Sequence, residues 1–275
     1  MSHQKAMING TETRVLQSKN TQMKYRISIG LPHLYPDAPE KKWPIVYLID
    51  SNLYFGMVTD IVRSMSWCGM TTDAIVVGIG YTTDAPLEEA WHDVMAWRHQ
   101  DLTPVQDEEL EKRMQEELNR DVKTGGADLF LKFMEEELMT MVENDYRVNE
   151  KEMALAGHSF GGLFTLYAMF QKPEIFRNYI ACSPSVFYKD QCIFEFEEQY
   201  ARRRKTLPAS LFMSMGELEE TPEFPNLSSM YRLSSQLESR KFKRFTLEKR
   251  FFPDEDHCTV IAPSLQAGLK LALRS

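Results

Sequence analysis

The sequence is poor in cysteine, in basic charge and in long apolar runs. Its four cysteines, Cys68, Cys182, Cys192 and Cys258, are too few and too irregularly spaced for a disulfide framework or a zinc site. They read as reduced, mostly buried thiols. The net charge of −8 and the pI near 5.4 exclude the basic stripe that a nucleic-acid surface requires. No apolar stretch approaches the roughly 20 residues that span a bilayer, and residues 1–20 are polar, without the apolar segment of a secretory signal. The expected protein is therefore cytoplasmic, with no nucleic-acid or membrane partner. Repeats and low-complexity tracts are absent too. What remains is a 275-residue chain with 43% hydrophobic content, enough to bury a large core as a single domain over 1–275.

The first half opens with two alternating segments, Thr13 to Ser18 and Met23 to Gly30, patterned as antiparallel strands with one wet face. A proline- and charge-rich loop, Leu31 to Lys42, leads into Trp43 to Asp50, whose nearly continuous apolar run fits a strand covered on both sides. Leu53 to Trp67 has helical spacing, and Asp73 to Tyr81 is another buried strand. Gly78 and Gly80 there resemble part of a dinucleotide fingerprint, but position 83 is threonine, so no cofactor is expected.

Residues 82–124 are charged and dotted with tryptophan, and their place between a central strand and the next helix makes them a candidate lid or pocket wall. Asp107 to Leu118 within them reads as a solvated helix. His92 and His99 would lie two turns apart on a helix, but no carboxylate or third histidine completes a metal set. No metal is expected. After a helix from Gly125 through Met141, strand and helix alternate. Strands are read at Phe176 to Ala181, Leu211 to Met215 and Phe245 to Phe251, and helices at Leu227 to Leu237 and Val260 to Leu273. That alternation implies a mostly parallel sheet wrapped by helices.

The chemistry concentrates in Gly157-His158-Ser159-Phe160-Gly161, which follows the apolar strand Met153 to Ala156 and precedes the apolar helix Leu163 to Phe170. Strand, Gly-x-Ser-x-Gly and helix together are the pattern of a nucleophile elbow. Ser159 must sit in a sharp turn with its hydroxyl exposed, so its neighbours two residues away must lack side chains. The Phe160 backbone N–H then lies at a helix start, where a developing oxyanion is favoured. A serine hydroxyl needs a base, and the base needs an acid to orient it. His257 is the only histidine after Ser159, and it sits between the last strand and the last helix. The acid should follow the preceding strand, where Gly216 leads into Glu217, Leu218, Glu219 and Glu220. Glu219 is preferred, because a turn at Gly216 swings the third residue on toward the histidine. Glu217, Glu220, Asp254 and Asp256 stay open as alternatives. The second oxyanion donor is expected from Asp50-Ser51-Asn52, as the Asn52 N–H with Ser51 the near alternative.

An ordered series of segments carries a resemblance. It comprises Gly78-Ile79-Gly80-Tyr81, Arg98 to Pro104, Gly125-Gly126-Ala127, Gly157 to Gly162, Ser183-Pro184-Ser185, Gly216 to Glu219 and Asp256-His257. Over nearly the whole chain from about Tyr25, it resembles the putative-esterase family, most closely its siderophore esterases for ferric enterobactin and salmochelin. The resemblance implies an α/β-hydrolase fold, ester hydrolysis through an acyl-enzyme without a metal, and a small-molecule ester as partner. It also implies that Arg98 lies near the pocket, holding an oxygen-rich substrate or else paired with a carboxylate such as Asp101. Relatives often have Asp-Gly where this chain has Asp50-Ser51, so Ser51 is expected to narrow the oxyanion corner. Acyl transfer to a sugar or alcohol, as in the related mycolyltransferases, and a non-catalytic interaction protein are the rival readings.

Overall fold

A computed structural model describes residues 7–274; the first six residues of the polar opening, read above as lacking a signal, lie outside the described residues. Strands β1 (Thr11–Gln17), β2 (Lys24–Gly30), β3 (Trp43–Leu48), β4 (Ile75–Tyr81), β5 (Val148–His158), β6 (Asn178–Cys182), β7 (Thr206–Gly216) and β8 (Lys243–Phe252) form one sheet. Their order is β1-β2-β4-β3-β5-β6-β7-β8. β1 and β2 pair antiparallel, β2 and β4 likewise, and every later pair is parallel. This is the expected mostly parallel α/β-hydrolase sheet.

The sheet is covered on both faces because β3 and β4 are buried at every position and β5 from Met153 on, and the period of two sorts their side chains. Val46, Leu48, Val76, Ala156 and Ile180 pack with α1 (Ser51–Trp67) and with the last helix. Ile45, Tyr47, Val77, Leu155 and Leu211 face the other way. On that side lie α2 (Leu87–Leu102), α3 (Glu108–Leu118) and a continuous helical stretch. The stretch runs from α4 (Ala127–Phe133) through a π turn (Met134–Leu138) into α5 (Met139–Asp145). The chain continues through α6 (Phe160–Gln171), the short α7 (Tyr188–Gln191), α8 (Ile193–Arg203), α9 (Asn226–Arg240) and α10 (Ile261–Ala272).

Residues 82–124 are tied into this body. Asp107 caps α3 by accepting the Leu110 N–H, and Val94, Leu102 and Leu110 join the main core. The Gly78/Gly80 pair has a packing cause in place of a nucleotide: a Cβ at Gly78 would lie 2.6 Å from the Ser51 side chain, and one at Gly80 would overlap the Asn52 amide. No helix among the described residues is long and apolar enough to cross a membrane.

Candidate active site

Three loops at the carboxyl ends of β5, β7 and β8 supply Ser159, Glu219 and His257. Ser159 occupies φ 61°, ψ −121°, a conformation that costs a non-glycine residue of order 1–3 kcal/mol and persists only where the surroundings impose it. Its N–H is held by the Cys182 carbonyl at 3.0 Å, and its own carbonyl accepts from Leu163 and Ser185. The strand and helix flanking it close so tightly that a Cβ at Gly157 would overlap the Gly161 backbone. The side chain thus stands at the tip of the turn, where His257 Nε2 lies 3.0 Å from its Oγ.

His257 Nδ1 lies 2.7 Å from Glu219 Oε2. The acid is shaped by its turn: Gly216 N–H donates to Glu219 Oε1 at 2.7 Å, and Glu219 N–H returns to the Gly216 carbonyl at 3.3 Å. Ser183 Oγ adds a 2.6 Å bond to Oε1, and Asn226 Nδ2 a 3.2 Å bond to Oε2. Burial pushes the Glu219 carboxyl up, but the bonds from His257, Ser183 and Gly216 outweigh it and hold the group below its ordinary value. Glu217, Glu220 and Asp254 are exposed, and Glu220 accepts the Ser228 N–H instead. Asp256 is exposed and caps its own loop, accepting from the Cys258 and Thr259 amides. A chain of contacts from carboxylate through imidazole to hydroxyl can relay a proton from Ser159 while the acid steadies the imidazolium.

The expected oxyanion donors lie at two helix starts. The first α6 bond runs from Leu163 to Ser159, and Leu53 and Tyr54 both donate to Asp50. The Phe160, Ser51 and Asn52 amides therefore precede any intrahelical bond. The Asn52 side chain is fixed by reciprocal bonds with the Tyr81 backbone, at 3.0 and 2.6 Å. Ser51 turns its side chain under β4, against Gly78, and so fills that gap rather than narrowing the corner.

Arg98 is placed differently from a ligand-binding side chain. It is 8% exposed, its fork closes on Asp50 at 3.0 and 2.8 Å, and Asp101 bonds Tyr25 instead. His99 is buried with Nδ1 2.5 Å from the Met95 carbonyl; burial lowers its pKa to about 4. Among the described residues no group of three His, Cys, Asp or Glu side chains could hold a metal ion.

A cavity of about 510 Å³ opens over Ser159 and His257, walled by Phe160, Phe187, Leu218 and Phe224. Phe187 and Phe224 meet edge to face at 5.4 Å. These walls were not legible in sequence, nor were Ser183 and Asn226 as holders of the acid; the one available sign was Ser183-Pro184-Ser185 at the end of β6. His158 is a further unforeseen neighbour. It is buried, its ring centroid is 4.5 Å from that of His257, and burial, His257 and Arg98 keep its pKa well below the ordinary value.

Comparison with known proteins adds ancestry to this geometry. The model of the family described as Putative esterase matches residues 18–217. The chain is 32% identical over 273 residues to the ferri-bacillibactin esterase BesA of Bacillus subtilis, covering 97% of this chain and 90% of that protein. It is 29% identical to the siderophore enterobactin esterase of Emericella nidulans, covering 89% and 88%. Among solved structures, the BES protein from Bacillus cereus superposes with a TM-score of 0.83 at 26% identity, covering all of both chains.

Proposed function

We propose that this chain, which belongs to the putative esterase family, hydrolyses siderophore-type esters through an acyl-enzyme on Ser159. The observation that carries the reading is the single imidazole, His257, within hydrogen-bond reach of both Ser159 and Glu219. Ser159 Oγ attacks the ester carbonyl as His257 Nε2 takes its proton, and Glu219 stabilises the imidazolium through Nδ1–H. The N–H groups of Phe160 and of Asn52, with Ser51 beside it, receive the oxyanion. The proton passes to the departing alcohol, and water activated by the same imidazole releases the acid.

The relatives named for bacillibactin and enterobactin support the substrate class, and the phenyl walls of the cavity suit a flat aryl group carried on the acyl part of the substrate. The four free cysteines fit a cytoplasmic setting. The test is Ser159→Ala against a p-nitrophenyl butyrate and an iron-loaded or iron-free triscatecholate trilactone. Loss of turnover on both substrates, with an unchanged circular dichroism spectrum, is expected. Undiminished turnover would remove the nucleophile, and turnover of the simple ester alone by the unmodified protein would remove the siderophore assignment.

A further inference from the structure

Asp50 occupies the N-cap position of α1, yet its carboxylate makes no cap hydrogen bond. An aspartate there ordinarily accepts from the amides of the first helical turn. In this protein those amides belong to the Ser51–Asn52 corner, so a capping carboxylate would fill the space an oxyanion needs. Arg98 holds it elsewhere. Asp50 adopts φ 57°, ψ 40°, unlike the extended backbone of a usual cap, and Arg98 grips both carboxylate oxygens, Nε to Oδ1 at 3.0 Å and Nη2 to Oδ2 at 2.8 Å.

The same guanidinium reaches the side chain of the residue whose N–H is the other donor. Its Cζ lies 5.5 Å from the centroid of the Phe160 ring, and His99, the next residue on α2, meets that ring edge-on at 5.3 Å. Asp50 Oδ2 is 3.3 Å from where a Cβ on Gly161 would stand. One buried ion pair thus joins Asp50, which precedes the Ser51–Asn52 donors, to the ring of Phe160, which carries the other.

We propose that Arg98 is a positioning residue for the oxyanion site: it withdraws the Asp50 carboxylate from the first-turn amides of α1 and keeps them open to the substrate's developing negative charge. The inference rests on the serine-esterase reading above. It gives residues 82–124 a role as a strut behind the site, since α2 delivers the guanidinium from beneath Phe160. A substrate ligand would leave its fork free, whereas this one is spent.

The test is a double-mutant cycle, since coupled neighbours betray themselves by non-additivity. Arg98→Met releases the carboxylate, which then caps α1. kcat should fall about 100-fold, the loss typical of one missing oxyanion donor, with KM within about threefold. The inhibition constant of an aryl boronic acid, which places a negative oxygen in the same corner, should rise in parallel. Removing the competitor as well, in Arg98→Met with Asp50→Ala, should recover at least about tenfold of the lost kcat. A carboxylate left unpaired by Arg98→Met could prevent folding, so Arg98→Lys, which keeps charge and loses the fork, provides the same split between kcat and KM.

The proposal is overturned by a raised KM with kcat intact, by an unchanged boronate constant, or by a double variant no faster than Arg98→Met. Full turnover by Ser159→Ala would instead remove the underlying esterase reading, so the two failures are separable.

Discussion

Replacing Glu219 with glutamine exchanges one carboxylate oxygen for an NH2, and the structure says where the consequence falls. Oε1 receives Ser183 Oγ at 2.6 Å and Gly216 N–H at 2.7 Å, while Oε2 receives Asn226 Nδ2 and faces His257 Nδ1. The glutamine oxygen will take the first place, because both donors there are close and one is backbone that cannot turn. Its NH2 then points at His257 Nδ1 and Asn226. Asn226 can accommodate this by rotating its amide, since its Oδ1 is buried without a hydrogen-bond partner among the described residues. The imidazole cannot accommodate it without cost. An NH2 beside Nδ1 requires that nitrogen to accept, which moves the ring proton to Nε2 and leaves nothing to receive the proton of Ser159.

A wrong tautomer with intact geometry is worth about 10⁴-fold in kcat where a triad acid is replaced by its amide, or about 5.5 kcal/mol of barrier. We expect a loss between about 10³- and 10⁴-fold on p-nitrophenyl butyrate, with KM little altered. Stopped-flow acylation should slow by the same factor. The acid limb of stability should change too. Glu219 is held below its ordinary value of 4.5, so its ionised form contributes stability above that pH, which is lost as pH falls through the folded-state value. Glutamine abolishes this contribution, and the variant's melting temperature should depend less on pH in that acid window. A kcat within tenfold of the unmodified protein would refute the tautomer argument. So would an equal loss on neutralising Glu220 or Asp256.

The sequence was most informative where one local constraint settles a position. The elbow is such a place: strand, turn and helix are contiguous, and the close approach of the Gly157 and Gly161 backbones excludes a side chain by geometry alone. Glu219 could be preferred over its neighbours because a turn anchored at Gly216 decides which of the three glutamates swings inward; Glu217 and Glu220 remain exposed. Long-range pairings left no such trace. Arg98 and Asp101 are close on one helix, which makes Asp101 the natural partner in sequence, yet Arg98 bonds Asp50, 48 residues away, and Asp101 bonds Tyr25. Periodicity shows which residues share a helix face and is silent about which strand end that face will meet. The same blindness hid Ser183, held against Glu219 across 36 residues. α8 was missed for another reason. Phe194 and Phe196 are interleaved with Glu195, Glu197 and Glu198, and Glu197 is fully buried against Arg240, so a charged residue stands where the pattern asks for an apolar one.

Two further predictions concern the cavity wall and the body of the fold. Phe224→Ala removes one phenyl wall of the cavity beside Ser159. Burying such a ring is worth about 1.5–3 kcal/mol in full, so a partly exposed wall should cost roughly tenfold in KM for benzoyl-type esters and little for acetyl esters; equal effects on both would refute an aromatic acyl site. Asp101, in the last turn of α2, is 1% exposed, with its Oδ2 accepting the Tyr25 hydroxyl at 2.8 Å. Burial raises its pKa from 3.8 to about 7, against the pull of the Tyr25 and Tyr81 hydroxyls. A raised folded-state value means the protonated form is the one folding favours. Its stabilising contribution is present at acid pH and is lost as pH climbs from the ordinary carboxylate range through about 7. Asparagine at 101 still offers the tyrosine an acceptor and has no proton to lose. Asp101→Asn should therefore melt above the unmodified protein at pH 8, with the gap closing toward pH 4. A gap that does not change with pH would mean that the buried carboxylate is ionised throughout and that the two hydroxyls suffice to hold its charge.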